Sequence, residues 1–597
     1  MIRLPPNASI EALFAQAVAL HTAGEVSGAE QLYRALMGRA PGQAAIPLNL
    51  GSLLQAQGRH KEAVACFKKA VTVKPGMAEA HNNLGVALQS LGREAEAAKS
   101  FRRAIALTPG MAEAHRNLGI AYSRQGQPEE ALASFQKAVA LRPGHVGTWI
   151  ELGRTLHELG RYGDAVAAYG RALELKPDAA DILNDLGAAQ DLAGDKAGAI
   201  ASLRRAIALN DEFANPRNNL GKLLEAEGDL DGAEEMFRSA LERAPDLAEV
   251  HGNLGNICME RRRIDEGIAH YRAAIALKPD FFEAHVSLGM ALLTQGHYAE
   301  GWAEWEWRWY QRAWLTPSLR FQRPLAEDER LDGKRVLLFA EQGFGDVLQF
   351  SRYALDLRAR GAEVILKVYP ALVRLLKSLP GDFSIIAEDA PEPPHDLRLP
   401  MMSAPFVFQS GVAPIPAPVP YLRPEAEAAA DWARRLAALP GRKVGLVWAG
   451  DPRPHDPGAH LVDRRRSLSL RRFAALAALP GLSLISLQKG APAAQAATSP
   501  FPLFDAMAEV SDFADTAALV ANLDLVITAD TSMAHVAGAL GKAVWVLSRF
   551  DGCWRWGEQG PGTPWYPTMR LYRQPRPGDW EEPLRRIVAD LQSPPSP

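Results

Sequence analysis

AEAHNNLGVALQSLGREAEAAKSFRRAIALTPGM, residues 78–111, is followed at once by AEAHRNLGIAYSRQGQPEEALASFQKAVALRPGH, residues 112–145. The second stretch repeats the first with a period of 34. Working outward, glycine recurs at Gly51, Gly85, Gly119, Gly153, Gly187, Gly221, Gly255 and Gly289. Proline keeps the same step at Pro41, Pro75, Pro109, Pro143, Pro177, Pro245 and Pro279, with Asp211 in the missing place. One alanine column runs through Ala63, Ala97, Ala131, Ala165, Ala199 and Ala233, and another through Ala70, Ala104, Ala138, Ala172, Ala206, Ala240 and Ala274. Between them stand Phe67, Phe101, Phe135, Tyr169, Leu203, Phe237 and Tyr271. Small residues let two helices approach, a bulky residue is expected to fill the space between neighbouring hairpins, and proline ends one helix before the next begins.

These columns resemble the tetratricopeptide repeat family, over about half of the chain. A degenerate early copy starts near Ile10, with Ala17, Ala29, Tyr33 and Pro41 in register, and the copy from Phe282 decays after Gly301. Eight full repeats and one partial, terminal copy are expected, an α-solenoid over residues 10–309 that presents a groove to a protein or peptide. The residue two before each glycine is Asn49, Asn83, Asn117, Glu151, Asp185, Asn219, Asn253 or Ser287. A carboxamide both donates and accepts, so a column of them can hold a peptide backbone. Protein O-GlcNAc transferases carry a similar ladder. The same asparagines can instead bond within the scaffold, and Glu151 and Asp185 interrupt the row.

Length and charge narrow the rest. At 597 residues the chain exceeds one core. A formal net charge of −3 argues against a nucleic-acid surface. Cys66, Cys258 and Cys553 are far apart and show no metal-ligand spacing, which suits a reducing, cytoplasmic setting. No apolar run is long enough to span a membrane, and residues 1–20 lack a signal peptide's continuous apolar stretch.

Residues 302–314, WAEWEWRWYQRAW, put Trp302, Trp305 and Trp309 on one helical face. They read as a cap over the last repeat that docks the next domain. Pro317, Pro324 and the run Glu327 to Arg330 read as linker, within a joint over residues 310–333.

From Lys334 the period changes. RVLLFA, residues 335–340, reads as a buried strand, residues 346–360 as a helix, and residues 363–368 as the next strand. Ten prolines between Pro391 and Pro424 suggest a connector, placed at 411–424. A second set follows: strand 443–448, helix 470–479, strand 482–487, helix 516–521, strand 525–528, a helix from Ser532 and strand 543–547. Alternating strands and helices predict parallel sheets, with ligands at the carboxyl ends of the strands. Two motifs sit there: Glu341-Gln342-Gly343-Phe344-Gly345-Asp346, and Asp530-Thr531-Ser532 with His535. Asp530 or Thr531 can cap the helix that follows, whose N-terminus suits an anion such as a pyrophosphate.

These motifs resemble the heptosyltransferase family of GT-B glycosyltransferases, over roughly residues 334–592. The resemblance implies an acceptor half at 334–410 and a nucleotide-sugar half at 425–592. It implies Asp346 as general base, with Gln342, Gly343 and Gly345 in the acceptor-side loop. It implies Asp530, Thr531, Ser532 and His535 as donor contacts. Arg466, in Arg464-Arg465-Arg466-Ser467, stands where the family has a phosphate-binding lysine, and Lys489 offers another cation. The expected activity moves a sugar from a nucleotide diphosphate to an acceptor hydroxyl, without metal or other cofactor. No DxD occurs in the C-terminal half. Gly343 replaces the family's usual serine or threonine, and Ser532 its usual glycine, so neither sugar nor acceptor carries over.

Other readings stand beside these. Asp346 suits an N-cap, and His535 a buried core position. The loop 450–463, with Asp451, His455, Asp456, His460 and Asp463, reads as solvated rather than metal-binding. Trp554, Trp556, Trp565, Tyr566 and Trp580 read mostly as core. The competing functions are a non-catalytic scaffold and a transferase acting on a glycan or lipid precursor.

Overall fold

The computed structural model describes residues 9–311, 321, 323–326, 328–409, 418–453, 455 and 457–593. Trp314, Pro317 and Glu327 of the joint, much of the connector, and Asp456 lie outside the described residues. The chain forms two compact units, Met1–Pro245 and Asp246–Pro597.

The first unit holds seven helix pairs, from Ile10–Thr22 with Val26–Arg39 to Ala214–Glu227 with Leu230–Arg243. The tight turn inside a pair needs left-handed backbone, and glycine supplies it at Gly58 and Gly92 (φ +73° and +70°). The period-34 columns are the core: Ala63, Phe67, Ala97, Phe101, Ala131 and Phe135 are all buried. The structure corrects the expected role of the aromatic. Phe101 packs against Gly85 of its own hairpin, where an added Cβ would stand 2.4 Å from the ring's Cε1. Glycine is therefore required by the ring that crosses it, and the column of rings explains the column of glycines.

The second unit opens with two further pairs, Ala248–Glu260 with Ile264–Leu277 and Phe282–Gln295 with Tyr298–Trp305, then a 3-10 turn, Glu306–Gln311. Trp302, Trp305 and Trp309 are buried. The Trp302 ring meets Phe350 at 6.0 Å and Trp554 at 5.1 Å, both edge-on. The tryptophans thus join the last repeat to the α/β region. The second compact unit begins inside the repeats, at Asp246, and the last pair shares its core with the α/β region.

Four strands make the first sheet: β1 (Arg335–Phe339), β2 (Glu363–Val368), β3 (Ser384–Ala387) and β4 (Leu397–Pro400). Six make the second: β5 (Arg442–Val447), β6 (Leu482–Ser486), β7 (Phe504–Asp505), β8 (Leu525–Ala529), β9 (Val544–Ser548) and β10 (Met569–Arg573). All pairings are parallel, in the orders β3-β2-β1-β4 and β10-β9-β8-β5-β6-β7. The second order is the doubly wound one, with its reversal between β5 and β8; the first follows the same rule between β1 and β4. The central strands are buried along nearly their whole length, as parallel strands covered on both faces must be.

The structure departs from expectation in places. The helix read over 346–360 is two, Phe344–Phe350 and Tyr353–Ala359, with the Ser351 hydroxyl donating to the Leu348 carbonyl at the break. The proline-rich stretch supplies β4, which pairs with β1. Residues 457–466 are helical rather than loop, and Asp463 is buried.

Candidate functional site at the strand ends

After β1 the backbone turns through Glu341, Gln342 and Gly343 into helix Phe344–Phe350. Asp346 lies in its first turn. Its carboxylate pairs with the Arg555 guanidinium from the loop after β9. Arg555 also donates from Nε to Gln349 Oε1 at 3.0 Å. Burial works against the charge of Arg555, but Asp346 beside it holds the group above its ordinary value. Two residues of one short helix therefore grip an arginine from the other sheet.

At the reversal of the second sheet, loops after β5 and β8 converge. Arg466 donates from Nη1 to the Asp530 carbonyl at 2.8 Å, and from Nε and Nη2 to Asp463 Oδ1 at 3.0 and 2.9 Å. Gly450 N–H donates to Ser467 Oγ at 3.1 Å. Thr531 is the N-cap of helix Ser532–Ala539, its hydroxyl accepting from Met533 N–H at 3.3 Å. Ser532 opens that helix, and Asp530, Thr531 and Ser532 are all partly exposed. A bound arginine and a helix N-terminus at a doubly wound switch point form a place suited to an anion.

The two ends meet through helix Phe344–Phe350 and helix Ser532–Ala539. A Cβ at Gly345 would stand 2.7 Å from His535 Cδ2, so glycine admits the imidazole. His535 is buried, with Nδ1 3.0 Å from the Tyr566 hydroxyl and its ring stacked on Trp556 at 5.4 Å. Burial, with Arg555 and Arg352 nearby, pushes its pKa well below the ordinary value. His535 is thus a buried residue packed between the two helices. Lys489 is elsewhere in the half: its ammonium donates to the Val510 carbonyl, and no hydrogen bond or ion pair among the described residues links it to Asp346, Arg466 or Asp530. Gln342 accepts from the Tyr369 hydroxyl at its carbonyl, and Gly343 is exposed.

Several positioning residues were not read from sequence. Gln488 Oε1 accepts from Trp448 N–H and Ala449 N–H at 3.0 and 2.9 Å, which fixes the end of β5. Glu341 takes two bonds from Arg308 at 2.9 and 3.2 Å and one from Met402 N–H at 2.9 Å. Its side chain is 1% exposed, and burial pushes its carboxyl up. Tyr421 donates to the Leu348 carbonyl at 2.8 Å. Each partner lies far away in sequence, so spacing carries no sign of it. The aromatic C-terminal stretch is core: Trp554, Trp556, Trp565, Tyr566 and Trp580 are buried.

In the repeats, Asn117 is buried and donates to Asn82 Oδ1 of the preceding pair at 3.2 Å. Asn219 donates to Asn184 Oδ1 at 2.9 Å. Asn83 accepts from Asn82 at 3.4 Å, and Asn49, Asn83, Asn219 and Asn253 are partly exposed. Part of the column therefore ties one repeat to the next, through Asn82 and Asn184 one residue ahead of the row.

A family profile described as the cilia and flagella-associated protein 70 C-terminal domain matches residues 7–253, and a tetratricopeptide repeat profile matches residues 255–296. The helix pairs are tetratricopeptide repeats. A curated relative, protein FlbA of Caulobacter vibrioides, is 26% identical over 329 residues, covering 50% of this chain. The chain spans about half of that relative, 53% of its length. Among solved structures, a tetratricopeptide repeat protein from Parabacteroides merdae is 18% identical with TM-score 0.32, covering 42% of this chain and 98% of that one. YrrB, a repeat protein with an unusual peptide-binding site, is 25% identical with TM-score 0.26, covering 31% and 96%. No helix among the described residues is long and apolar enough to cross a membrane.

Proposed function

We propose that the chain is a glycosyltransferase of GT-B architecture that moves a sugar from a nucleotide diphosphate to an acceptor hydroxyl, with the repeats recruiting a protein acceptor. The supporting observation is the convergence of Arg466, Asp530 and the Thr531-capped helix at one switch point, with Asp346 reaching the same half through Arg555. In this reading the diphosphate lies at the helix N-terminus beside Arg466, and it competes with Asp346 for Arg555. The freed Asp346 carboxylate takes the proton of the acceptor hydroxyl. The hydroxyl oxygen bonds the anomeric carbon as the bond to phosphate breaks. The leaving nucleoside diphosphate keeps the electron pair, stabilised by the two guanidiniums and the helix dipole rather than by a metal.

A second reading has its own support. The Asp346–Arg555 pair also suits a permanent lock between the halves, in a scaffold whose transferase half is inactive. Titrating the full chain with UDP-, GDP-, ADP- and CMP-linked sugars decides between them. Binding of one donor, weakened roughly 10- to 100-fold by Arg466→Ala, supports the transferase. The absence of binding and turnover with every donor leaves the scaffold.

A further inference from the structure

We propose that Cys258, Glu266 and His270 form a zinc-type divalent-cation site in the repeat pair Ala248–Glu260 and Ile264–Leu277. The Cys258 sulfur, a Glu266 carboxylate oxygen and a His270 ring nitrogen all lie within 4.8 Å of one another. Glu266 and His270 are four apart on one helix and share a face. Cys258 comes from the helix before it, so the ligands bridge both helices of the pair.

The repeat itself supplies the control. At the register of Cys258 the other copies carry Leu54, Leu88, Tyr122, Leu156, Gln190, Leu224 and Leu292. At the register of His270 they carry Cys66, Ser100, Ser134, Ala168, Ser202, Met236 and Glu304. The acid is common, at Glu62, Glu96, Glu130, Asp164 and Glu300. Thiol, imidazole and carboxylate come together in this one copy. Packing requires neither the thiol nor the imidazole, since most other copies carry leucine at the first register and a small residue at the second.

The surroundings orient the ligands. His270 Nε2 is 3.9 Å from Glu266 Oε1, while its Nδ1 is 3.1 Å from His251 Nδ1. Two facing Nδ1 atoms need one N–H and one lone pair. With the proton on His270 Nδ1, its Nε2 carries the lone pair that a metal takes, and His251 is the outer partner that fixes the ring. Arg263 Nη1 lies 3.1 Å from the other carboxylate oxygen, Glu266 Oε2. One thiolate, one imidazole and one carboxylate match zinc, with water in a fourth position. Ligand atoms on one tetrahedral zinc stand roughly 3.3–3.7 Å apart, a small rotamer adjustment from this arrangement. On binding, the sulfur–zinc bond forms and the thiol proton passes to solvent. The cation would brace the helix whose Glu260 holds Arg465 at 2.9 and 3.0 Å, beside the arginine at the switch point.

The test uses full-length protein stripped with a chelator, then titrated with Zn²⁺ and, separately, Co²⁺. One equivalent of zinc bound, a thiolate-to-cobalt charge-transfer band, and proton release are expected. Cys258→Leu restores the residue of the sister repeats, so its fold is kept while the band and the bound zinc are lost. His251→Ala should weaken binding about 10- to 100-fold. Sub-stoichiometric binding, or zinc and band retained in Cys258→Leu or His270→Gln, overturns the assignment.

Discussion

Asp346 and Arg555 join the two α/β halves through one ion pair, the aspartate on the first turn after β1 and the arginine in the loop after β9. In the proposed reaction, the general base and the cation that would meet a departing phosphate are thereby held against each other. Substitution separates their roles. Asp346→Asn keeps the shape, and turnover should fall about 10²- to 10⁴-fold. Donor affinity should hold or improve as Arg555 is released. Steady-state kinetics with calorimetric donor binding checks both; unchanged turnover removes Asp346 from the chemistry.

Glu341 and Arg308 make the corresponding lock at the joint. Their side chains are 1% and 9% exposed, and Ser403 and Glu306 complete the network. Glu341→Ala leaves a buried guanidinium short of its main partner and should cost about 3–5 kcal/mol in urea unfolding of the full chain. The triple change Arg308→Met, Glu341→Leu and Glu306→Gln should cost far less, because no charge of the network is left unpaired. Additive losses would show that the pair is not coupled.

Gly85 and Phe101 define the repeat core. Gly85→Ala drives a methyl into the ring and should destabilise by roughly 1–3 kcal/mol. Phe101→Ala opens a cavity and should cost about 3–5 kcal/mol. Combined, the two should fall well short of their sum, since the methyl occupies space the ring vacates. Chemical denaturation monitored by helix signal measures the cycle.

His535 makes stability depend on pH. The unfolded imidazole titrates near 6.5, and the native one well below that. Between these values the unfolded chain binds more protons. Stability is therefore complete above about pH 6.5 and falls below it, by up to roughly 1.4 kcal/mol per pH unit. His535→Gln should flatten this part of the pH profile between pH 6.5 and 5. An equal slope in both proteins would place the titration elsewhere.

The repeats were legible because each column solves a local problem that recurs every 34 residues. Gly85 and Phe101 are only 16 positions apart, so ring and glycine print together in the sequence. The strands β1, β5 and β8 were legible as short apolar runs flanked by glycine or a capping residue. The four-residue β3 and β4 and the two-residue β7 were not, since runs so brief carry no period. The asparagine column illustrates the limit differently: its spacing was plain, but only the fold shows Asn117 turned onto Asn82.

The sequence by itself determined the helix pairs, their register, the alternation into parallel sheets, and the two motifs at strand ends. Those are set by periodicity and by residues within a turn or two of one another. Tertiary structure alone decided that Asp346 meets Arg555, that Glu341 holds Arg308, that His535 is buried on Tyr566, and that Cys258 faces His270. Those pairings arise when distant segments pack, and side-chain reach, burial and charge choose the partner, none of which spacing along a chain records.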